Sequence, residues 1–144
     1  IYIEPGEAVV LDSGVLIGEI VDFFKPNNRL SPYIAITDIS ATSHIPDVLE
    51  APYRPALLNE AREGYEVVLG GPSCLAGDVI GKYKFKNLPL IGDRIALLDQ
   101  AHYTIVKTSF FNGIKLPSIA LWDSETDKID IIKQFSYKDF EDKL

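Results

Sequence analysis

Breaks in the chain constrain its fold more than any other feature. Lys25-Pro26-Asn27-Asn28, Leu88-Pro89-Leu90-Ile91-Gly92-Asp93, Phe111-Asn112-Gly113 and Asp123-Ser124-Glu125-Thr126-Asp127 interrupt the apolar runs at short intervals. Proline and glycine punctuate regular structure, and Asn-Gly favours a tight turn with positive φ. The runs left between them read as short strands over Val15–Phe24, Tyr33–Ile39, Glu66–Leu69, Val79–Phe85, Arg94–Leu98, His102–Phe110, Ser118–Trp122 and Lys128–Lys133. A short helix is expected over Ala8–Leu11. A second, capped by Ser136 with Asp139 three residues on, is expected to run to Leu144. Residues 40–55 carry three prolines, so a loop, one or two helical turns and another loop are expected there. Many short strands between frequent turns predict a mainly β fold, a sandwich or a barrel.

The chain has 144 residues, 47% of them hydrophobic, which suits one domain with a real core. A net charge of −7 argues against a general nucleic-acid or acidic-membrane binder, because phosphates need a basic face; a cationic ligand is electrostatically compatible. A single cysteine excludes an intrachain disulfide. With no long apolar run, a soluble protein of a reducing, cytoplasmic compartment is expected. No cysteine and histidine cluster has zinc spacing, so no metal is expected. The sequence opens at Ile1 and contains no methionine, and reads as the C-terminal piece of something longer.

The one cysteine stands in Gly70-Gly71-Pro72-Ser73-Cys74-Leu75-Ala76-Gly77-Asp78. Spacing alone suggests a small buried hydrophobe. The glycines and Pro72 suggest a stiff turn that holds a thiol outward. Ile1–Ile3 reads as the end of a buried strand that Glu4-Pro5-Gly6 breaks, either an ordinary junction or the mouth of a barrel.

Five landmarks in order give the chain a family. They are Glu4-Pro5-Gly6-Glu7-Ala8, the run from Ser43-His44-Ile45-Pro46-Asp47 to Tyr53-Arg54-Pro55, the Gly70–Asp78 turn, Ala101-His102-Tyr103-Thr104, and Phe111-Asn112-Gly113-Ile114-Lys115-Leu116-Pro117. Over nearly its whole length the chain resembles the C-terminal part of the carboxynorspermidine (carboxyspermidine) decarboxylases. These are a branch of the alanine-racemase-like, fold type III pyridoxal phosphate enzymes. The resemblance implies that residues 1–7 are the last strand and mouth of a largely missing (β/α)8 barrel. Residues 8–144 would be the C-terminal β-sandwich or Greek-key barrel domain. It also implies a homodimer whose active site is shared between subunits, with the cofactor-binding lysine in the missing barrel.

Each landmark then has an implied task. Glu4 would sit against the pyridine nitrogen of pyridoxal 5'-phosphate. The Gly6 N–H and the Tyr103 hydroxyl would meet the phosphate. Where the wider family often has arginine after that glycine this chain has Glu7, which is expected to point elsewhere. Cys74 would protonate the substrate α-carbon in the partner's active site. Leu75 stands where ornithine decarboxylases carry aspartate, so Asp47 and Glu50, three apart on one side of a helical turn, would read the cationic substrate. Arg54 would take a substrate carboxylate or pair with Glu50. His44 would contact substrate or cap its segment. Asp78 would contact substrate or hold the turn and interface together. The implied reaction is decarboxylation of carboxynorspermidine or carboxyspermidine. A sister decarboxylase of diaminopimelate or ornithine, and a β-domain module without catalysis, are the alternatives.

Overall fold

The structure, a computed structural model, describes residues 1–28, 31–51 and 53–144; Pro52 of the second landmark lies outside the described residues. After a one-turn helix, α1 (Gly6–Val10), the chain enters β1 (Val15–Phe24). That strand is apolar on both faces. Leu16, Gly18 and Ile20 turn inward, while Val15, Ile17 and Val21 stay exposed. Gly18 has to be glycine, because a Cβ there would overlap the Ile39 side chain. Val21 is the extra residue of a bulge between Ile20 and Asp22, which bends the strand.

β1 pairs antiparallel with β2 (Tyr33–Thr37) on one side and with β5 (Arg94–Leu98) on the other. β2 pairs in parallel with β3 (Tyr65–Gly70), Tyr33 opposite Val67. A parallel pair needs a long crossover. Residues 38–64 supply it, with the helical turn α2 (Asp47–Glu50) inside. The hairpin from β3 to β4 (Val79–Phe85) carries the cysteine at its end, and the sheet order is β4-β3-β2-β1-β5. Its two edges are drawn together by one irregular segment. Ala56 accepts from the Leu98 N–H at 2.8 Å, the Leu58 N–H donates to Ala96 at 2.9 Å, and the Ala61 N–H donates to Lys84 of β4 at 2.9 Å. The sheet therefore curls around a core of Leu16, Ile20, Ala35, Ile39, Ile45, Leu57, Val67, Leu69, Ile80, Tyr83, Ile95 and Leu97. Tyr83 is wholly enclosed, and its hydroxyl donates to the Pro55 carbonyl at 2.9 Å. That bond removes the cost of burying the phenol.

Beyond β5 the chain forms the helical turn α3 (Tyr103–Val106) and a 3-10 turn at Phe111–Gly113. It ends with the hairpin β6 (Ile119–Asp123) and β7 (Lys128–Lys133) and the helix α4 (Tyr137–Glu141). Ser136 and Asp139 close the expected capping box, and the amide of Ser136, with Lys133, holds the Asp139 carboxyl down at about 2. Two expectations need correction. The helix stops at Glu141, short of Leu144. His102–Phe110 is no strand, because both sides of β5 are already occupied, by β1 and by Ala56–Leu58, and leave no edge to join. Ile1–Ile3 is exposed and pairs with no described segment; the barrel strands expected beside it are not among these residues.

Candidate active site

The cysteine turn is built on a buried carboxylate. Asp78, at 4% exposure, accepts the Ser73 N–H at 3.0 Å, the Ala41 N–H at 2.6 Å and the Ser40 hydroxyl at 2.9 Å. Burying a charge is costly unless it is hydrogen-bonded, and three donors meet that need. Asp78 folds back over Gly71, where a Cβ would strike the carboxylate. None of Gly70, Gly71 and Gly77 has positive φ; the close approach at Gly71 is what requires a glycine. Cys74 is exposed at the tip, and its N–H donates to Asn112 Oδ1 at 3.1 Å. Asp78 thus braces the turn from within. Its three donors come from the turn itself and from Ser40–Ala41, so its carboxylate faces inward, away from the exposed thiol.

The Ser40–Glu50 segment packs beside it. His44, 2% exposed, accepts the Ser40 N–H on Nδ1 at 3.1 Å. Nε2 then carries the proton and donates to the Lys115 carbonyl at 3.0 Å. Burial pulls its pKa below the ordinary histidine value, against the Lys115 carbonyl and the charges of Asp38 and Asp78. Of the two roles expected for His44, these contacts are of the kind that cap its segment.

At α2, Asp47 and Glu50 do lie on one side. Both meet the ammonium of Lys107, Asp47 at 2.8 Å. These two hydrogen bonds push the lysine pKa well up. The same ammonium lies 5.0 Å from the centre of the Tyr103 ring. Helix α3 makes this possible, since Lys107 follows Tyr103 by four and its N–H closes on the Tyr103 carbonyl. Lys107 is the residue that sequence reasoning passed over. Its spacing from Tyr103 signals the contact only once 103–106 is known to be helical.

The expected pairing of Arg54 with Glu50 is corrected: its guanidinium pairs with Glu60, with both terminal nitrogens 3.1 Å from one carboxylate oxygen. It also donates to the Lys82 carbonyl and lies 4.5 Å over the Tyr83 ring, on β4. Burial pushes the Tyr83 phenol up to about 12, against the pull of that guanidinium.

Glu4 and Gly6 are exposed, Gly6 in open space, and Tyr103 is half exposed at the start of α3. These three are accessible to a phosphate-bearing cofactor, and the open backbone at Gly6 suits a close approach. Glu7 is exposed. It gathers with Asp99 and His102, one ligand-type atom of each within 4.8 Å of the others, a grouping that sequence spacing does not show.

Residues 8–101 match the family model described as pyridoxal-dependent decarboxylase, C-terminal sheet domain. A carboxynorspermidine/carboxyspermidine decarboxylase of Campylobacter jejuni is 41% identical over an alignment that takes in 97% of this chain and 39% of that protein. A carboxyaminopropylagmatine decarboxylase of Synechocystis sp. is 36% identical across 100% of this chain and 37% of its own length. The crystal structure of carboxynorspermidine decarboxylase complexed with norspermidine, from Campylobacter jejuni, has a TM-score of 0.87 at 38% identity. It covers 96% of this chain and 40% of that one. The chain thus spans about two fifths of the length of the curated relatives it matches.

Proposed function

The chain belongs to the pyridoxal-dependent decarboxylases, through their C-terminal sheet domain, and from that premise we propose that it forms part of an enzyme that removes the α-carboxylate of carboxynorspermidine or carboxyspermidine to leave norspermidine or spermidine. One observation carries the substrate class: Asp47 and Glu50 already hold a primary ammonium, that of Lys107, beside the Tyr103 ring. A triamine chain offers further cationic nitrogens to such a pair. Diaminopimelate brings a second carboxylate, which two acidic groups repel.

Pyridoxal 5'-phosphate, when bound, supplies the sink for the electron pair released as carbon dioxide leaves. Glu4 would hold its ring nitrogen, and the Gly6 N–H and Tyr103 hydroxyl would hold its phosphate. Asp47 and Glu50 orient the substrate by its distal ammonium groups. Cys74 gives its proton to the α-carbon, so that the S–H bond breaks as the new C–H bond forms, and solvent returns a proton to sulfur. The thiol acts in the active site of a second copy in a homodimer, and the covalent lysine belongs to the barrel part of the enzyme.

In the full-length enzyme, Asp47→Asn and Glu50→Gln each remove a charge-assisted hydrogen bond of about 1.5–3 kcal/mol. The Michaelis constant for the carboxylated triamines is expected to rise roughly 10- to 100-fold, with diaminopimelate turnover unimproved. An unchanged constant, or better turnover of diaminopimelate or ornithine than of either triamine by the parent enzyme, would sink the assignment. Carboxyaminopropylagmatine belongs in the same panel. Cys74→Ala is expected to lower turnover and increase products of a misplaced proton; unchanged kinetics and products remove it from the mechanism.

A further inference from the structure

Three successive amides around the thiol are each pinned. The Ser73 N–H is taken by Asp78, the Leu75 N–H by the Ser73 hydroxyl at 3.3 Å, and the Cys74 N–H by Asn112 Oδ1 at 3.1 Å. The first two contacts are local to the hairpin. The third comes from 38 residues away, and it is the one that acts on the cysteine itself.

Asn112 is built for that reach. It sits at φ 58° and ψ 15° inside the 3-10 turn, a left-handed conformation that asparagine tolerates better than other residues with side chains. Its turn is fixed in place. The Gly113 N–H donates to Phe110 at 2.8 Å, and the Ser109 N–H donates to Ser43 at 3.0 Å. His44 Nε2 donates to Lys115 at 3.0 Å. From His44 the contacts run to Ser40, from the Ser40 hydroxyl to Asp78, and from Asp78 back to Ser73. Three loops thus form a closed circuit of hydrogen bonds, and Asn112 is the joint that returns it to Cys74. With the backbone held on both sides, the direction of the Cα–Cβ bond is set, and χ1 with its three staggered wells is the freedom left to the sulfur.

We propose that Asn112 is a positioning residue for the Cys74 thiol, fixing through one backbone hydrogen bond the direction from which the proton is delivered. This rests on the assignment of Cys74 as proton donor. A small displacement of a positioned group costs rate out of proportion to its size, so the effect belongs to turnover and to where the proton lands rather than to substrate binding.

The test uses the full-length enzyme with Asn112→Gly, Asn112→Asp and Cys74→Ala. Glycine keeps the left-handed backbone at no steric cost and loses the acceptor; aspartate keeps the acceptor. Two quantities are read: the fraction of turnovers ending in products of a misplaced proton, and the rate of iodoacetamide labelling at Cys74, followed on its peptide by mass spectrometry. Asn112→Gly is expected to raise the misplaced fraction several-fold toward the Cys74→Ala value and to lower kcat at nearly unchanged KM. It is also expected to change the labelling rate, with Asn112→Asp returning both readouts toward the parent. A parental fraction in Asn112→Gly, where Cys74→Ala alters it, overturns the proposal. A parental fraction in Cys74→Ala overturns the assignment of the proton donor instead. The labelling rate then decides the positioning alone: changed in Asn112→Gly it stands, unchanged it falls.

Discussion

Asp78 and Glu50 are chemically near-equivalent carboxylates, and their surroundings give them opposite work. Asp78 is enclosed and bound by three donors from two loops, so it fixes backbone. Glu50 is exposed and meets one lysine, a partner that another ammonium can replace. His44 is neutral because burial disfavours its charged form and because Nδ1 must accept from Ser40. Its folded pKa lies below the ordinary value of about 6.5, so as pH falls through that value the unfolded chain takes up a proton that the folded chain refuses. Stability from this source is complete above about pH 6.5 and is lost from there down to the folded pKa. The melting temperature of the full-length protein is expected to fall over that interval, and His44→Gln, which cannot titrate, to flatten the fall. A parallel decline in both proteins would show that other groups cause it.

Among the elements, those bounded by turn chemistry were legible. Strands β1, β4, β5 and β7 occupy the spans that their flanking breakers predict, because such breakers act locally. The run His102–Phe110 shows the limit. Its alternation suits a strand, but a strand needs an open edge, and the availability of an edge is decided by distant segments. The cysteine hairpin lies between these cases. Its glycines were evident, but which of them is required depended on Asp78 lying over Gly71. Gly71→Ala is expected to destabilise the protein by about 1–3 kcal/mol through overpacking, measured as a lowered denaturation midpoint, while Gly77→Ala, with open space around it, serves as the near-neutral control. Equal effects at the two positions would contradict the account of the turn.

For the molecule as a whole, closure of the sheet depends on one segment without regular structure. Ala56–Ala61 links β5 to β4 and places Leu57 in the core. The chain between β2 and β3 thereby serves as crossover, as closure and, through Asp47 and Glu50, as one wall of the candidate site. From the order of residues alone came the mainly β class, the strand-forming runs, the capped terminal helix, the acidic balance and, through the five landmarks, the family. These follow from local conformational preference and from motif, which need no knowledge of what folds against what. Tertiary structure decided that Arg54 serves Glu60, that Lys107 fills the acidic pair and that Asn112 reaches Cys74. Each of these is a contact between groups six to sixty residues apart, and which donor a carboxylate or an amide meets is settled only when burial brings the loops together.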